Sequence, residues 1–233
     1  SKKRENLLTQ LDKKIDQKSI DKFYKLISRR LFYEPVAYIL NEKEFWSKTF
    51  EVDRNTLIPR PETELLVEKL VSIFKKKRIN ILDIGTGSGC IVISLLSELP
   101  DSNGIGVDIS KKAIQIAIKN AKRHHLINNI KFINRSFESI NFKKFDLVVS
   151  NPPYIRSIDL KKLNESIKNF EPKIALDGGN DGLDVVKKVI YKAKEILKVN
   201  GFLALEIGNG QFKLVSALLL KNLFRIEHIT KDY

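Results

Sequence analysis

The sequence predicts an α/β protein built on a doubly wound, mostly parallel sheet, and three observations support this prediction. From residue 79 onwards, short apolar runs alternate with amphipathic segments of helical length. One apolar run ends at a glycine-rich turn, and a later run stops at an Asn-Pro-Pro-Tyr tetrapeptide. The chain has 233 residues, 42% of them hydrophobic, so it can bury the core of one large domain with a small appendage.

The N-terminal part precedes this alternation. Residues 1–31 carry apolar side chains at three- and four-residue spacing and predict two short helices that are too small to form a core alone. Short β-like runs at 36–40, 45–46 and 50–52 predict a hairpin. A helix follows at Pro61, which suits a first helical turn. We therefore expect a helical segment over residues 1–33, a hairpin linker over 34–60, and a main domain over 61–233 that lacks its last strand.

Within the main domain, the apolar runs and the helical periodicity give the expected order of elements. Strands are predicted near 79–84, 103–107, 130–134, 145–150, 201–207 and 224–230, and helices near 89–98, 111–124, 183–197 and 211–222. Residues 155–182 form a long connection with little periodicity, for which we expect a substrate-facing loop.

Composition restricts the class of protein. The formal net charge of +14 fits a polyanionic partner such as RNA or a ribosomal particle, and it fits equally a genome of biased composition. The one cysteine, Cys90, excludes a disulfide framework and favours a reducing compartment. No apolar run reaches the length of a membrane span, and the basic start lacks the apolar core of a signal peptide. We expect a cytoplasmic protein that does not bind membranes and is a monomer.

The glycine turn after the first strand of the main domain predicts a nucleoside site. Asp83 ends the apolar run, and the turn that follows is Gly85-Thr86-Gly87-Ser88-Gly89. Asp108 ends the next strand, where a carboxylate can accept hydrogen bonds from ribose hydroxyls. The spacing is Gly-x-Gly-x-Gly rather than the Gly-x-Gly-x-x-Gly expected for NAD, and Asp83 would repel pyrophosphate. A cationic nucleoside, S-adenosylmethionine, fits better, with S-adenosylhomocysteine as its product.

The tetrapeptide Asn151-Pro152-Pro153-Tyr154 predicts a second site at the same edge of the sheet. Its prolines force the backbone out of the strand as a stiff loop. The Asn151 side chain and the Pro152 carbonyl can accept both hydrogens of a planar amino group, and Tyr154 can lie against its face. An ordinary strand-ending turn is the alternative. If the two strands are neighbours, the amino group faces the nucleoside, which is the arrangement of an N-methyltransferase.

These residues resemble the protein-glutamine methyltransferases of the HemK/PrmC type, which modify peptide chain release factors. The resemblance extends from about residue 33 to residue 210. The glycine turn and the Asn-Pro-Pro-Tyr loop are shared with many amino-methyltransferases, whereas five other blocks are more specific. These blocks are residues 35–39, 44–46, 57–64, 171–183 and 206–208.

The resemblance implies a Rossmann-like, class I S-adenosylmethionine-dependent methyltransferase fold. It implies that Asn151, Pro152, Pro153 and Tyr154 hold the glutamine of a release factor's Gly-Gly-Gln loop and that its amide nitrogen is methylated, which tunes translation termination. It also implies that Ser136 or Phe137 lies beside the adenine. The cofactor residues are thus Asp83, Gly85, Thr86, Gly87, Ser88, Gly89, Asp108, Ser136, Phe137 and Asn151. Asn41 stands where the family usually has a glycine.

Two rival functions stay open at this point. A methyltransferase for the exocyclic amino group of adenine or guanine can use the same Asn-Pro-Pro-Tyr grip on a flipped base, and the charge of +14 favours it. A non-catalytic RNA-binding or assembly factor that keeps the fold is the other, and the intact glycine turn, Asp108 and Asn151 argue against it. No metal site is expected, because His124, His125 and His228 lack metal-ligand spacing. Cys90 is expected to pack in the core.

Overall fold

The computed structural model describes residues 14–141 and 145–231 and shows the predicted sheet. Two short strands, β1 (Glu42–Phe45) and β2 (Lys48–Glu51), precede the sheet. The five parallel strands of the sheet are β3 (Asn80–Ile84), β4 (Asn103–Asp108), β5 (Ile130–Asn134), β6 (Phe145–Ser150) and β7 (Leu197–Leu205). Their order in the sheet is β5-β4-β3-β6-β7. The chain runs from β3 outwards to β5 and returns on the other side of β3 as β6. The topological switch point, where such sheets bind ligands, therefore lies between β3 and β6.

Helices cover both faces of the sheet. They are α1 (Gln17–Leu31), α2 (Val36–Leu40), α3 (Glu62–Phe74), α4 (Cys90–Glu98), α5 (Lys111–Arg123), α6 (Glu165–Lys168), α7 (Asp184–Ile196) and α8 (Phe212–Lys221). Successive residues of β3 point to opposite faces, so Ile81 packs in the core with α3 and α4, whereas Leu82 packs in the core with α7. Within the described ranges, no helix has the length and apolar character needed to cross a membrane.

Most predicted elements are present within two or three residues of their expected bounds, and two predictions were wrong. The first is the strand at 224–230, which has no regular structure, and β6 is the only described strand that pairs with β7. The second is the β-like run at 36–40, which is helix α2. There the N–H groups of Tyr38 and Ile39 both donate to the Pro35 carbonyl, at 2.9 and 3.0 Å, which is the local hydrogen bonding of a helical turn. Of the two predicted N-terminal helices, the first lies outside the described residues.

Asn41 ends helix α2 in the left-handed conformation, with φ 56° and ψ 27°. Asn tolerates this region better than most residues because its short polar side chain can hydrogen-bond locally. The position therefore suits a glycine or an asparagine, which accounts for the departure from the family pattern.

The linker forms the predicted antiparallel hairpin of β1 (Glu42–Phe45) and β2 (Lys48–Glu51), and this hairpin is part of the main core. Phe45 and Phe50 are fully buried in the cluster that also contains α3 and α4. The buried Asn120 of α5 accepts from the Glu51 N–H at 2.7 Å and donates to the carbonyls of Glu51 and Ser88, each at 2.9 Å. One side chain thus joins the hairpin to the glycine turn.

The long connection at 155–182 is not a free loop. Two 3₁₀ turns, Ser157–Lys162 and Lys173–Ala175, flank the single-turn helix α6. Glu171, whose side chain is 1% exposed, accepts from Arg60 at 2.6 Å and from the Ile58 N–H at 3.2 Å. A buried carboxylate must be paired in this way. The connection is therefore anchored to the residues that lead into α3.

Candidate active site

The glycine turn lies between β3 and α4 and is shaped by positive backbone angles. Gly85, Gly87 and Gly89 have φ values of 70°, 55° and 80°, which side chains other than glycine rarely adopt. The N–H groups of Gly85 and Thr86 both donate to the carbonyl of Val107, at 2.9 and 3.0 Å. A Cβ at Gly85 would have no atom within 4 Å, so this side of the turn is open. The turn can therefore accept a ligand close to its backbone.

Asp83 lies beneath the turn with an unmet hydrogen-bonding capacity. It is 1% exposed, and its Oδ2 accepts from the Thr86 hydroxyl at 2.7 Å. Its Oδ1 is buried and has no hydrogen-bond partner in the described part of the chain. Burial raises the pKa of this carboxyl to about 7. A cationic or hydrogen-bond-donating group placed here would satisfy the orphaned oxygen and stabilise the charged carboxylate.

Asp108 ends β4 beside the same turn. Its two carboxylate oxygens accept from the N–H of Gly87 at 3.0 Å and from the N–H of Ser110 at 2.8 Å. Each oxygen keeps a further lone pair for a ligand hydroxyl. Burial raises the pKa of the Asp108 carboxyl. The structure thus brings Asp83, the glycines and Asp108 together, as the sequence predicted.

The Asn-Pro-Pro-Tyr loop follows β6, and β6 is the direct neighbour of β3. Ile84 pairs with Ser150, and the Ser150 hydroxyl donates to the Ile84 carbonyl at 2.8 Å. The next residue of each strand begins its loop, so Gly85 and Asn151 start at adjacent points of one sheet edge. Pro152 is buried, whereas the other three residues of the tetrapeptide are half-buried. The predicted convergence of the two loops is therefore present in the fold.

Two residues without a predicted role, Thr63 and Glu206, complete the Asn151 site. Asn151 Nδ2 donates to the Thr63 hydroxyl at 3.2 Å, and this hydroxyl donates to the Glu206 carboxylate at 2.6 Å. The Tyr154 hydroxyl donates to the other Glu206 oxygen at 3.4 Å. Burial raises the pKa of Glu206, although the hydrogen bonds from the Thr63 and Tyr154 hydroxyls and the nearby Asn151 amide oppose this. The signal was available, because Glu206 follows β7 directly and β7 neighbours β6.

The backbone of the Asn-Pro-Pro-Tyr loop is held by Gln211 and by the end of the 155–182 connection. Gln211 donates to the carbonyls of Tyr154 and Gly182, at 3.0 and 3.2 Å, and accepts from the Gly208 N–H at 2.8 Å. A Cβ at Gly178 would lie 2.7 Å from the Pro153 carbonyl oxygen. The Asn-Pro-Pro-Tyr loop thus packs directly against the end of the 155–182 connection, and no residue larger than glycine fits at position 178.

The other residues singled out in the sequence lie in turns, in the core or at a helix end. Ser136 caps the 3₁₀ turn Phe137–Ser139, and Phe137 packs partly against the core formed with α7. Cys90 packs against the other core, as predicted. His124 caps the C-terminus of α5, and its ring packs on Phe50 at 5.0 Å. Among residues 14–141 and 145–231, no group of three or more His, Cys, Asp or Glu side chains is placed to hold a metal ion.

Two family descriptions match the chain. Residues 75–177, which include the glycine turn and the Asn-Pro-Pro-Tyr loop, match "Methyltransferase domain". Residues 1–40 match "PrmC N-terminal domain". Among solved structures, a ribosomal protein L11 methylase from Lactobacillus delbrueckii subsp. bulgaricus has a TM-score of 0.57 and 19% identity and covers 76% of this chain and 77% of its own. At this identity the likeness shows the fold, which is that of class I methyltransferases.

Relatives of higher identity extend over most of the chain. A "Bifunctional methyltransferase" of Rickettsia typhi is 41% identical over 98% of this chain, but that match covers 48% of the relative, so the chain spans about half its length. A "Release factor glutamine methyltransferase" of Thermodesulfovibrio yellowstonii is 39% identical over 89% of this chain and 75% of the relative. From this identity and coverage, together with the PrmC N-terminal match, the chain belongs to the release factor glutamine methyltransferase family.

Proposed function

We propose that the chain transfers a methyl group from S-adenosylmethionine to the side-chain amide nitrogen of the glutamine in the Gly-Gly-Gln loop of a peptide chain release factor. The observation that carries this proposal is the convergence of the glycine turn and the Asn-Pro-Pro-Tyr loop at one sheet edge, through the pairing of Ile84 with Ser150. Membership of the family supports the choice of acceptor.

The residues of the glycine turn fit S-adenosylmethionine. The orphaned Oδ1 of Asp83 suits the cationic part of that molecule, and Asp108 has lone pairs left for the ribose hydroxyls. Gly85, with open space where a Cβ would stand, allows close approach. When bound, S-adenosylmethionine supplies an electrophilic methyl group on a sulfonium centre. We propose that Ser136 and Phe137 border the adenine as secondary contacts.

The acceptor is a weak nucleophile, because the amide lone pair is delocalised into its carbonyl. Residues 151–154 contain no lysine or histidine to act as a base. The chain would instead act by position: Asn151 Oδ1 and the Pro152 carbonyl accept the two amide hydrogens, and Tyr154 closes the slot. Such positioning is worth roughly 7–11 kcal/mol in favourable cases. The same two acceptors stabilise positive charge that develops on the nitrogen.

The three-part division into residues 1–33, 34–60 and 61–233 is proposed on the same grounds, with the N-terminal segment contributing to substrate recognition. The family match of residues 1–40 supports it. The basic charge of +14 is consistent with work near the ribosome, where release factors act.

The test is a methyl-transfer assay with radiolabelled S-adenosylmethionine. A purified release factor, its Gln→Ala loop variant and bulk nucleic acid are offered in separate reactions. We expect label on the release factor and none on the Gln→Ala variant. Label on nucleic acid alone would contradict the proposal and favour the flipped-base reaction.

A further inference from the structure

The buried groups behind Asn151 form a chain of hydrogen bonds with a fixed direction. Asn151 Nδ2 donates to the Thr63 hydroxyl, and that hydroxyl donates to Glu206 Oε2 at 2.6 Å. Thr63 is 3% exposed and lies in the first turn of α3. Glu206 follows β7, so the two groups come from opposite parts of the chain, 143 residues apart.

The direction follows from counting hydrogens. A threonine hydroxyl has one hydrogen, and an ionised carboxylate can only accept. Once the Thr63 hydrogen is committed to Glu206, the Thr63 oxygen can only accept, and the group that Asn151 presents to it must be the NH₂ group. The Asn151 oxygen is then on the opposite side of the amide, where it is free to accept.

We propose that Thr63 and Glu206 are positioning residues that fix which way the Asn151 amide faces, so that its oxygen is the acceptor for the substrate amide. This inference rests on the proposed function. Reversal of the Asn151 amide would present a donor to the substrate NH₂ group and remove one of its two acceptors.

The ionised state of Glu206 is part of this mechanism. A protonated Glu206 could donate to Thr63, whose own hydrogen would then be free to turn towards Asn151. Of the titratable groups around Glu206, Tyr154 bonds to it, Glu62 and Cys90 interact with it electrostatically, and Arg60 acts electrostatically on Tyr154. Low pH is therefore expected to weaken the selection of one Asn151 orientation.

The kinetic test uses the full chain and a release factor. Thr63→Val keeps the shape of the side chain and removes the hydroxyl, and we expect kcat to fall about hundredfold with little change in KM. Thr63→Ser is expected to restore most of the lost rate. The matched control is Thr56→Val, which removes another buried hydroxyl, one that contacts Asp53, away from the loop. A Thr63→Val rate equal to that of Thr56→Val would overturn the inference, as would a Thr63→Ser rate as low as that of Thr63→Val.

A second measurement needs no methyl acceptor. The solvent exchange of the Asn151 side-chain hydrogens is followed by NMR in the wild-type and Thr63→Val proteins. We expect exchange to be up to about tenfold faster in the variant, since one hydrogen bond is lost. Unchanged exchange would overturn the inference whatever the substrate is. Label transfer by the wild-type protein decides the proposed function separately.

Discussion

Substitution of Gly182 tests whether the packing of residues 178–182 against the Asn-Pro-Pro-Tyr loop controls the rate of methyl transfer. Gly182 has φ +75°, and a Cβ there would lie 2.5 Å from the Tyr154 carbonyl oxygen. Ordinary contact begins near 3.4 Å, so Gly182→Ala requires a shift of about 0.9 Å between the two segments. A misplacement of about 1 Å can lower a rate about hundredfold. We therefore expect kcat for release factor methylation to fall by about that factor.

The control is Gly210→Ala, which separates backbone strain from displacement. Gly210 has φ +80°, and a Cβ there would meet nothing within 4 Å. Either alanine costs roughly 1–2 kcal/mol for the left-handed conformation, and each kcal/mol lowers Tm by about 2–4 °C in a chain of this size. Gly210→Ala is expected to show this loss of stability with an unchanged methylation rate. Equal rates in the two variants, after comparison of their Tm values, would refute the reasoning.

Three further predictions concern the site and its support. Asn151→Ala is expected to abolish methyl transfer while calorimetry still detects S-adenosylmethionine binding at the glycine turn and Asp108; retained methylation would contradict the role of this residue. Arg60→Gln leaves the buried Glu171 with the Ile58 N–H alone, and urea unfolding is expected to show a loss of about 3 kcal/mol, whereas a loss below about 1 kcal/mol would show that the pair is dispensable. Burial raises the pKa of Asp83 from 3.8 to about 7, so the folded protein holds a proton that the unfolded chain releases. The free energy of unfolding of the ligand-free wild type, minus that of Asp83→Asn, should therefore decline as pH rises from about 4 to about 7. Urea unfolding at several pH values measures this difference, and a difference that does not change with pH would contradict the prediction.

The sheet and its helices could be predicted because each element has a local signal. Apolar runs such as the one ending at Ser150 stop at turn residues, and the helices between them have 3.6-residue periodicity. The two loops of the site were predictable for the same reason, since each directly follows a strand. The adjacency of those strands follows from the ordinary topology of such sheets.

The failures occurred where local patterns are ambiguous. A five-residue apolar run such as 36–40 fits a strand or one helical turn, and the hydrogen bond from the Ile39 N–H to the Pro35 carbonyl shows that it is helical. The run at 224–230 alternates as a strand does, yet it does not pair with β7, whose one described partner strand is β6. Alternation predicts which face of a strand is buried and not whether that strand pairs with another. The link from Thr63 to Glu206 joins residues 143 positions apart, and no local pattern encodes it.

The hydrogen bonds of Asn120 determine which parts of the protein unfold together. Its side chain bonds to both backbone groups of Glu51 in the hairpin and to the Ser88 carbonyl in the glycine turn. If the hairpin detached alone, Asn120 and the backbone of Glu51 would lose these partners while Phe45 and Phe50 left the core. The hairpin and the glycine turn therefore belong to one cooperative unfolding unit, and the hairpin stays joined to α5 for as long as that turn is folded.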